Sequence, residues 1–280
     1  MIIIKQPSEL RLYLDNVRND GQTIGFVPTM GALHKGHLSL LQKSVSENNF
    51  TLVSIFVNPT QFNEASDFTA YPRNDAEDLR LLEKTGIDAV FLPSVEDMYG
   101  SDKSLLDLDL EGLDKTMEGA FRPGHFKGVI TIVDKFFSLI KPHKAYFGLK
   151  DYQQLAVITL LAKKLHPEIK IIGCPIEREA SGLAMSSRNE LLSPEQRSEA
   201  SAISRVLFRL KELWKKNDFA SLIPEALDSV TSTSLKTEYL LIADAETLEP
   251  LHKYSGRPAV ACIAVRSGKV RLIDNVRLPA

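Results

Sequence analysis

A chain of 280 residues is longer than the usual single domain and too short for three, so one large domain with a smaller companion is the default organisation. With 44% hydrophobic and 25% charged residues the composition is that of an ordinary globular protein rather than a disordered or membrane-embedded one. Its 34 basic and 36 acidic side chains leave a net charge of −2, which gives no global electrostatic footprint for nucleic acid; any anion site must be local.

At the N-terminus Met1-Ile2-Ile3-Ile4 is followed at once by Lys5 and Pro7, too short for a signal peptide, and no stretch approaches the ~18 apolar residues of a membrane span. Leu10, Tyr13, Leu14 and Val17 then share one helical face, with Ser8 as the expected cap. A buried strand is predicted over 23–27, and further strands over 50–57, 89–92, 145–147 and 170–174. They alternate with helices near 37–47, 74–85, 126–140 and 152–165, where Val129, Val133, Phe136, Phe137 and Ile140 have helical spacing and Asn74 with Glu77 reads as a capping box. This alternation predicts an α/β fold with a parallel sheet covered by helices.

After Asn189 the pattern changes. Ser193-Pro194-Glu195-Gln196 starts a helix whose apolar face runs through Ile203, Leu207 and Leu210 toward Trp214. Strands over 238–243, 259–265 and 270–273 follow, the last two joined in a hairpin by Ser267-Gly268-Lys269. The expected domains are therefore 1–184, carrying the parallel sheet, and 185–280, a smaller α+β domain. Cys174 and Cys262 stand singly, without zinc spacing or a disulfide framework, which points to a reducing compartment and a cytoplasmic protein.

The most informative segment is Phe26-Val27-Pro28-Thr29-Met30-Gly31-Ala32-Leu33-His34-Lys35-Gly36-His37-Leu38, where a predicted strand ends in a small-residue turn and enters a helix. Amides at a helix N-terminus attract anions, and Gly31 and Gly36 permit close backbone approach. His34 and His37 can face one site and donate to a triphosphate whose charge rises as pyrophosphate leaves. The alternative for an isolated His-x-x-His is a pair of surface or capping histidines. Zinc would need a third ligand and usually a nearby base, neither of which is evident. No Gly-x-Gly-x-x-Gly follows the first strand and no Walker loop occurs, which counts against a dinucleotide oxidoreductase.

Four further segments carry polar chemistry. In 178–189, Ser186, Ser187 and Arg188 place two hydroxyls beside a guanidinium, suited to a polyphosphate or else a polar linker. Gly148-Leu149-Lys150-Asp151-Tyr152-Gln153-Gln154 lies at a strand end, with Lys150 the cation for a reacting phosphate and Asp151 either a helix cap or a nucleotide contact. Asn58-Pro59-Thr60-Gln61-Phe62 offers Gln61 as a neutral double hydrogen-bonder for a hydroxy acid, or is an ordinary loop. Arg122-Pro123-Gly124-His125-Phe126-Lys127-Gly128 is a basic loop of secondary weight.

In this order these motifs, with Tyr71-Pro72-Arg73 and Glu118-Gly119, resemble the HIGH-type nucleotidyltransferase superfamily and, within it, the pantothenate synthetase family, from about residue 20 to the end. The resemblance implies a Rossmann-like doubly wound N-terminal domain, a smaller C-terminal lid domain, a homodimer, and Mg-ATP-dependent condensation of pantoate with β-alanine through an acyl-adenylate. It further implies that Met30, Gly31, Ala32, Leu33, His34, Lys35, Gly36 and His37 bind ATP together with Gly148, Leu149, Lys150, Asp151, Glu177, Met185, Ser186, Ser187 and Arg188. His37 is the family's catalytic donor, supported by His34 and Lys150, and Gln61 and Gln154 hold pantoate, Gln61 also lying near β-alanine. Leu149, Ser181 and Glu177 depart from the family's usual residues, so backbone rather than side-chain contacts are expected there. A nucleotidyltransferase that stops at the nucleotidyl product, or a non-catalytic nucleotide-binding module, are the rival readings; the two glutamines and the second domain favour the ligase.

Overall fold

The computed structural model describes residues 1–63, 65–101, 104–214, 219–231, 233–254 and 256–279. In chain order the elements are β1 (Ile2–Ile4), α1 (Pro7–Asn19), β2 (Ile24–Thr29), α2 (Lys35–Glu47), β3 (Phe50–Ile55), α3 (Ala65–Ala70), α4 (Asp75–Leu82), β4 (Ala89–Phe91), α5 (Val95–Tyr99), α6 (Met117–Phe121), α7 (His125–Ile140), β5 (Lys144–Gly148), α8 (Tyr152–Leu165) and β6 (Lys170–Cys174). They continue with α9 (Pro194–Ala200), α10 (Ala202–Leu213), α11 (Phe219–Thr231), β7 (Lys236–Asp244), β8 (Ala259–Ser267) and β9 (Val270–Leu278). Packing divides the chain at several points. One compact unit comprises Met1–Leu110, Arg122–Leu149 and Gln154–Pro175; the other comprises Glu111–Phe121, Lys150–Gln153 and Ile176–Ala280.

The first unit holds a six-stranded sheet of order β1-β4-β3-β2-β5-β6, with every pairing parallel. From β2 the chain winds outward through β3 and β4, then returns to place β5 on the other flank of β2. The strand order therefore reverses between β2 and β5, the point where open α/β sheets bind ligands beyond their carboxyl ends. Alternation along β2 sends Val27 into one layer with Leu40, Leu41, Val53 and Tyr146, while the Phe26 ring packs edge-on against Phe136 of α7. Helix α7 is buried on nearly every side, which explains its long apolar sequence.

Helix α1 begins differently from the expectation: Pro7 occupies the first turn and Gln6 is the N-cap without a side-chain bond, so Ser8 lies inside the helix. Proline's fixed φ and missing N–H suit that first position, and this outweighs the serine. Asn74 does cap α4 through the Glu77 amide, but the Glu77 carboxylate pairs with Arg80, leaving the capping box one-sided. The three-residue β1, below the length at which alternation becomes visible, was not expected.

The second unit packs α9, α10 and α11 with the antiparallel sheet β7-β8-β9 around Ile203, Leu207, Leu210, Trp214 and Ile263. The helix start read at Ser193-Pro194-Glu195-Gln196 is observed, and Ser193 and Gln196 close it with a reciprocal capping box. Ser267 pairs with Val270, so Gly268 and Lys269 alone make the hairpin turn, with Gly268 at φ +59° as its first central residue requires. Helix α11 was not anticipated. Segment 111–121 is tied to this unit by Glu118, which accepts from the Arg271 guanidinium at 2.5 and 2.8 Å and from the Tyr239 hydroxyl at 2.9 Å. Cys174 and Cys262 are free and buried, and burial pushes the Cys174 thiol up to about 11. Among the described residues no helix is long and apolar enough to cross a membrane.

Candidate functional site

In the first unit the switch point is framed by the carboxyl ends of β2, at Thr29, and β5, at Gly148. As the chain leaves β2, Gly31 and Ala32 take positive φ values of +80° and +49°. The turn is held from α4: Asp78 Oδ2 accepts the Ala32 amide at 2.8 Å and Oδ1 the Leu33 amide at 2.7 Å. Burial pushes the Asp78 carboxyl upward while these two N–H groups pull it down. Two of the amides expected to meet phosphate are thus already engaged by a carboxylate of the protein. Sequence reading missed Asp78, because nothing local distinguishes it from Asp75 in the same helix.

His34 is the N-cap of α2, and its Nδ1 accepts from the Gly36 amide at 3.1 Å; His37 Nδ1 accepts in return from the His34 amide at 3.3 Å. Two histidines therefore build the reciprocal capping box ordinarily made by a serine and a glutamate. Their rings lie 4.1 Å apart between centroids. Because each Nδ1 accepts from an amide, each neutral ring carries its proton on Nε2, so Nε2–H is the donor on both. The capping role and a donor role are compatible, since they use different nitrogens.

Gln61 ends a 3₁₀ turn, Pro59–Gln61, just beyond β3. Its Oε1 accepts from the buried Asn58 amide at 3.2 Å, and its Nε2 lies 2.9 Å from Met30 Sδ, so two predicted site residues meet here. The Gln61 carbonyl accepts from His125 Nδ1 at 2.8 Å, while Arg122 Nη1 stands 3.1 Å from His125 Nε2. Since guanidinium can only donate, Nε2 is the acceptor and Nδ1 carries the proton. The basic loop over 122–128 thus holds Gln61. Gln154 is half-buried in the first turn of α8, whereas its neighbour Gln153, in the second unit, is buried and bonds the backbone of Leu113, Thr116 and Glu118.

The second unit carries the remaining candidates. Asn275 Nδ2 donates to the Lys150 carbonyl at 2.8 Å, and Lys150 Nζ lies 3.5 Å from Asp151 Oδ1. Residues 177–185 form a tight hairpin: the Met185 amide donates to the Glu177 carbonyl at 2.9 Å, Arg178 pairs with Ala184, and Gly182 turns with φ +90°. Arg178 also grips the buried Asp274 through both Nη atoms, at 2.6 and 3.0 Å. Ser186 caps the 3₁₀ helix Ser187–Leu191 by accepting from the Arg188 amide, and Asn189 donates to Glu179 and to the Ala184 carbonyl. A segment pinned this thoroughly is a built element rather than a polar linker. Among the described residues no three of His, Cys, Asp and Glu gather in a way that could hold a metal ion.

The model of the pantoate-beta-alanine ligase family matches residues 2–277. The pantothenate synthetase of Acetivibrio thermocellus is 46% identical over 279 residues, 99% of each chain, and that of Bacteroides fragilis is 44% identical over the same span. Among solved structures, pantothenate synthetase from Thermus thermophilus superposes with a TM-score of 0.93 at 38% identity, covering all of both chains. Pantoate-beta-alanine ligase from Francisella tularensis, solved in complex with beta-gamma ATP and beta-alanine, gives 0.83 at 38% identity, covering 99% of this chain and 97% of that one.

Proposed function

The chain belongs to the pantoate-beta-alanine ligase family, and from that premise we propose that it condenses (R)-pantoate with β-alanine at the expense of ATP, giving pantothenate, AMP and pyrophosphate. The carboxylate oxygen of pantoate attacks the α-phosphorus, the bond to the β-phosphate breaks, and pyrophosphate leaves. The β-alanine amine then attacks the carbonyl carbon of the pantoyl-adenylate and loses a proton, and AMP departs as the C–O bond breaks. Splitting amide synthesis into two displacements lets one site serve both, and an enclosed site keeps water from the mixed anhydride.

The observation that carries the reading is the histidine pair at the strand switch, with both Nδ1 atoms committed to the helix cap and Nε2–H the donor on each ring. Donors fixed in advance, where negative charge grows on the departing phosphates, stabilise the transition state without reorganising at the moment of reaction. In this reading His37 is the principal donor, seconded by His34 and Lys150. Met30 to His37, Gly148 to Asp151, Glu177 and Met185 to Arg188 hold ATP. Gln61, oriented by Asn58 and by the Arg122–His125 pair, holds pantoate with Gln154 and borders β-alanine.

Magnesium enters as part of the Mg-ATP substrate. A small, strongly hydrated cation of this kind is bound mainly through substrate phosphates and water, which suits a chain without a clustered donor set among its described residues. The reading extends to a cytoplasmic homodimer. Pyrophosphate release measured with ATP, magnesium, pantoate and β-alanine tests the central claim. AMP should accumulate only when both organic substrates are present, and pantoate alone should give a single burst of pyrophosphate. Absence of pyrophosphate above background with all components would overturn the assignment.

A further inference from the structure

Asp78 is 2% exposed, and both of its carboxylate oxygens point into the loop that leads from β2 to α2. Successive amides converge on one anion only where the backbone folds into a concave turn, and here Gly31 and Ala32 make that turn by both adopting positive φ. Ala32 is not a glycine, so its left-handed conformation needs a partner that over-determines it. Gly31 has no alternative: a Cβ there would lie 2.9 Å from Asp78 Oδ2 and 3.1 Å from the Ile55 side chain. His34 follows directly after the two held amides, and the reciprocal cap links its position to that of His37.

We propose that Asp78 is the positioning residue of the histidine pair: its carboxylate fills the loop's anion nest from inside the protein and thereby sets His34 and His37 for the adenylation step. Two consequences follow. The Ala32 and Leu33 amides are withdrawn from nucleotide binding, so phosphate recognition by this loop falls to its other groups, the two Nε2–H donors among them. Any shift of Asp78 is transmitted to both imidazoles at once. The inference rests on the ligase reading above, and the experiment separates the two.

Wild-type protein is first assayed for pyrophosphate release with ATP and pantoate; failure there removes the ligase reading, whatever holds the loop. In active protein, Asp78→Asn keeps the side chain's size but turns an NH₂ group toward one of the two amides. Adenylation at sub-saturating ATP should fall about a hundredfold, shared between kcat and the KM for ATP, as expected when catalytic groups are misplaced by about an ångström, while transfer from supplied pantoyl-adenylate to β-alanine changes less than about threefold. Gly31→Ala, which strains the same joint from the other side, should repeat the pattern, and Glu77→Gln, one residue from Asp78, should leave both half-reactions unchanged. Unaltered adenylation in folded Asp78→Asn, or equal losses in both half-reactions, would overturn the proposal. Amide hydrogen exchange on wild-type protein decides independently of any variant. Ala32 and Leu33 should be protected without nucleotide and unaffected by adding ATP, and free exchange at both would also overturn it.

Discussion

Replacing His37 by asparagine separates the two jobs its ring performs. The asparagine amide oxygen falls close to the place of Nδ1 and can still accept from the His34 amide, but nothing reaches the place of Nε2. The retained cap is a 3.3 Å contact, long for a hydrogen bond, so even its complete loss should cost no more than about 1 kcal/mol. A well-placed transition-state donor is worth about 3–4 kcal/mol, or a factor of about 100 to 1000 in rate. The two effects differ enough to be read apart. His37→Asn should melt within about 2 °C of wild type while pyrophosphate release from ATP and pantoate falls at least about a hundredfold. His37→Gln, whose amide NH₂ approaches the place of Nε2 at the expense of the cap, should retain more activity and lose more stability. An asparagine variant with more than a third of wild-type adenylation, or a glutamine variant less active than asparagine, would refute the division of labour between the two nitrogens.

Gly128→Ala should disturb the Gln61 loop, because a Cβ there would sit 2.2 Å from the Thr60 carbonyl oxygen; the expected outcome is a loss of about 1–3 kcal/mol and a raised KM for pantoate, checked by melting and steady-state kinetics. Arg271→Met strands the buried Glu118 carboxylate and should lower stability by about 3 kcal/mol in urea unfolding, and adding Glu118→Gln should recover part of that loss by removing the orphaned charge. Glu47 is held down to about 2 by its hydrogen bond to Lys43, then by Tyr146, well below the ordinary glutamate value of 4.5. Its folded value is the depressed one, so its contribution is complete above pH 4.5 and disappears as the pH falls toward 2. Melting curves of wild type and Glu47→Gln should therefore differ at neutral pH and converge near pH 2, and a constant difference across that range would contradict the assignment.

The elements legible in the sequence were those whose signal is local. Strand β6 and helix α8 fall where the apolar pattern put them, and the helix start read at Ser193–Gln196 opens α9. Helix α11 escaped because Pro224 stands inside it, and proline read locally is a helix breaker. The strand β1 is only three residues long and is justified by its pairing with β4 rather than by any periodicity of its own. For the histidine pair, the plain reading as capping residues and the chemical reading as phosphate donors looked like alternatives. In the structure the cap is real, and it is the cap that assigns the tautomer a donor requires.

The motifs supply chemical groups, and residues distant in sequence hold them still. Asp78 reaches the Leu33 amide across 45 positions, His125 reaches the Gln61 carbonyl across 64, and Asn275 reaches the Lys150 carbonyl across 125. Asp78 and Asn275 are not marked by their neighbours, because a buried side chain that accepts from or donates to backbone looks, in sequence, like any other polar residue; His125 stands in a basic loop that its composition does mark, but nothing there tells which group it holds. Two of the three contacts are made to a group every residue possesses, a carbonyl oxygen, so the holder constrains the path of the chain and leaves the identity of the held side chain to the chemistry. That asymmetry has a kinetic consequence. Losing a group such as the Nε2–H of His37 removes a transition-state interaction outright, whereas losing its holder leaves the group present and misplaced, so rate should recover partly when substrate binding draws the loop back into place. Saturating ATP should therefore rescue a fraction of the activity of Asp78→Asn and none of that of His37→Asn; equal behaviour of the two variants across ATP concentration would show that holder and donor are not distinct roles.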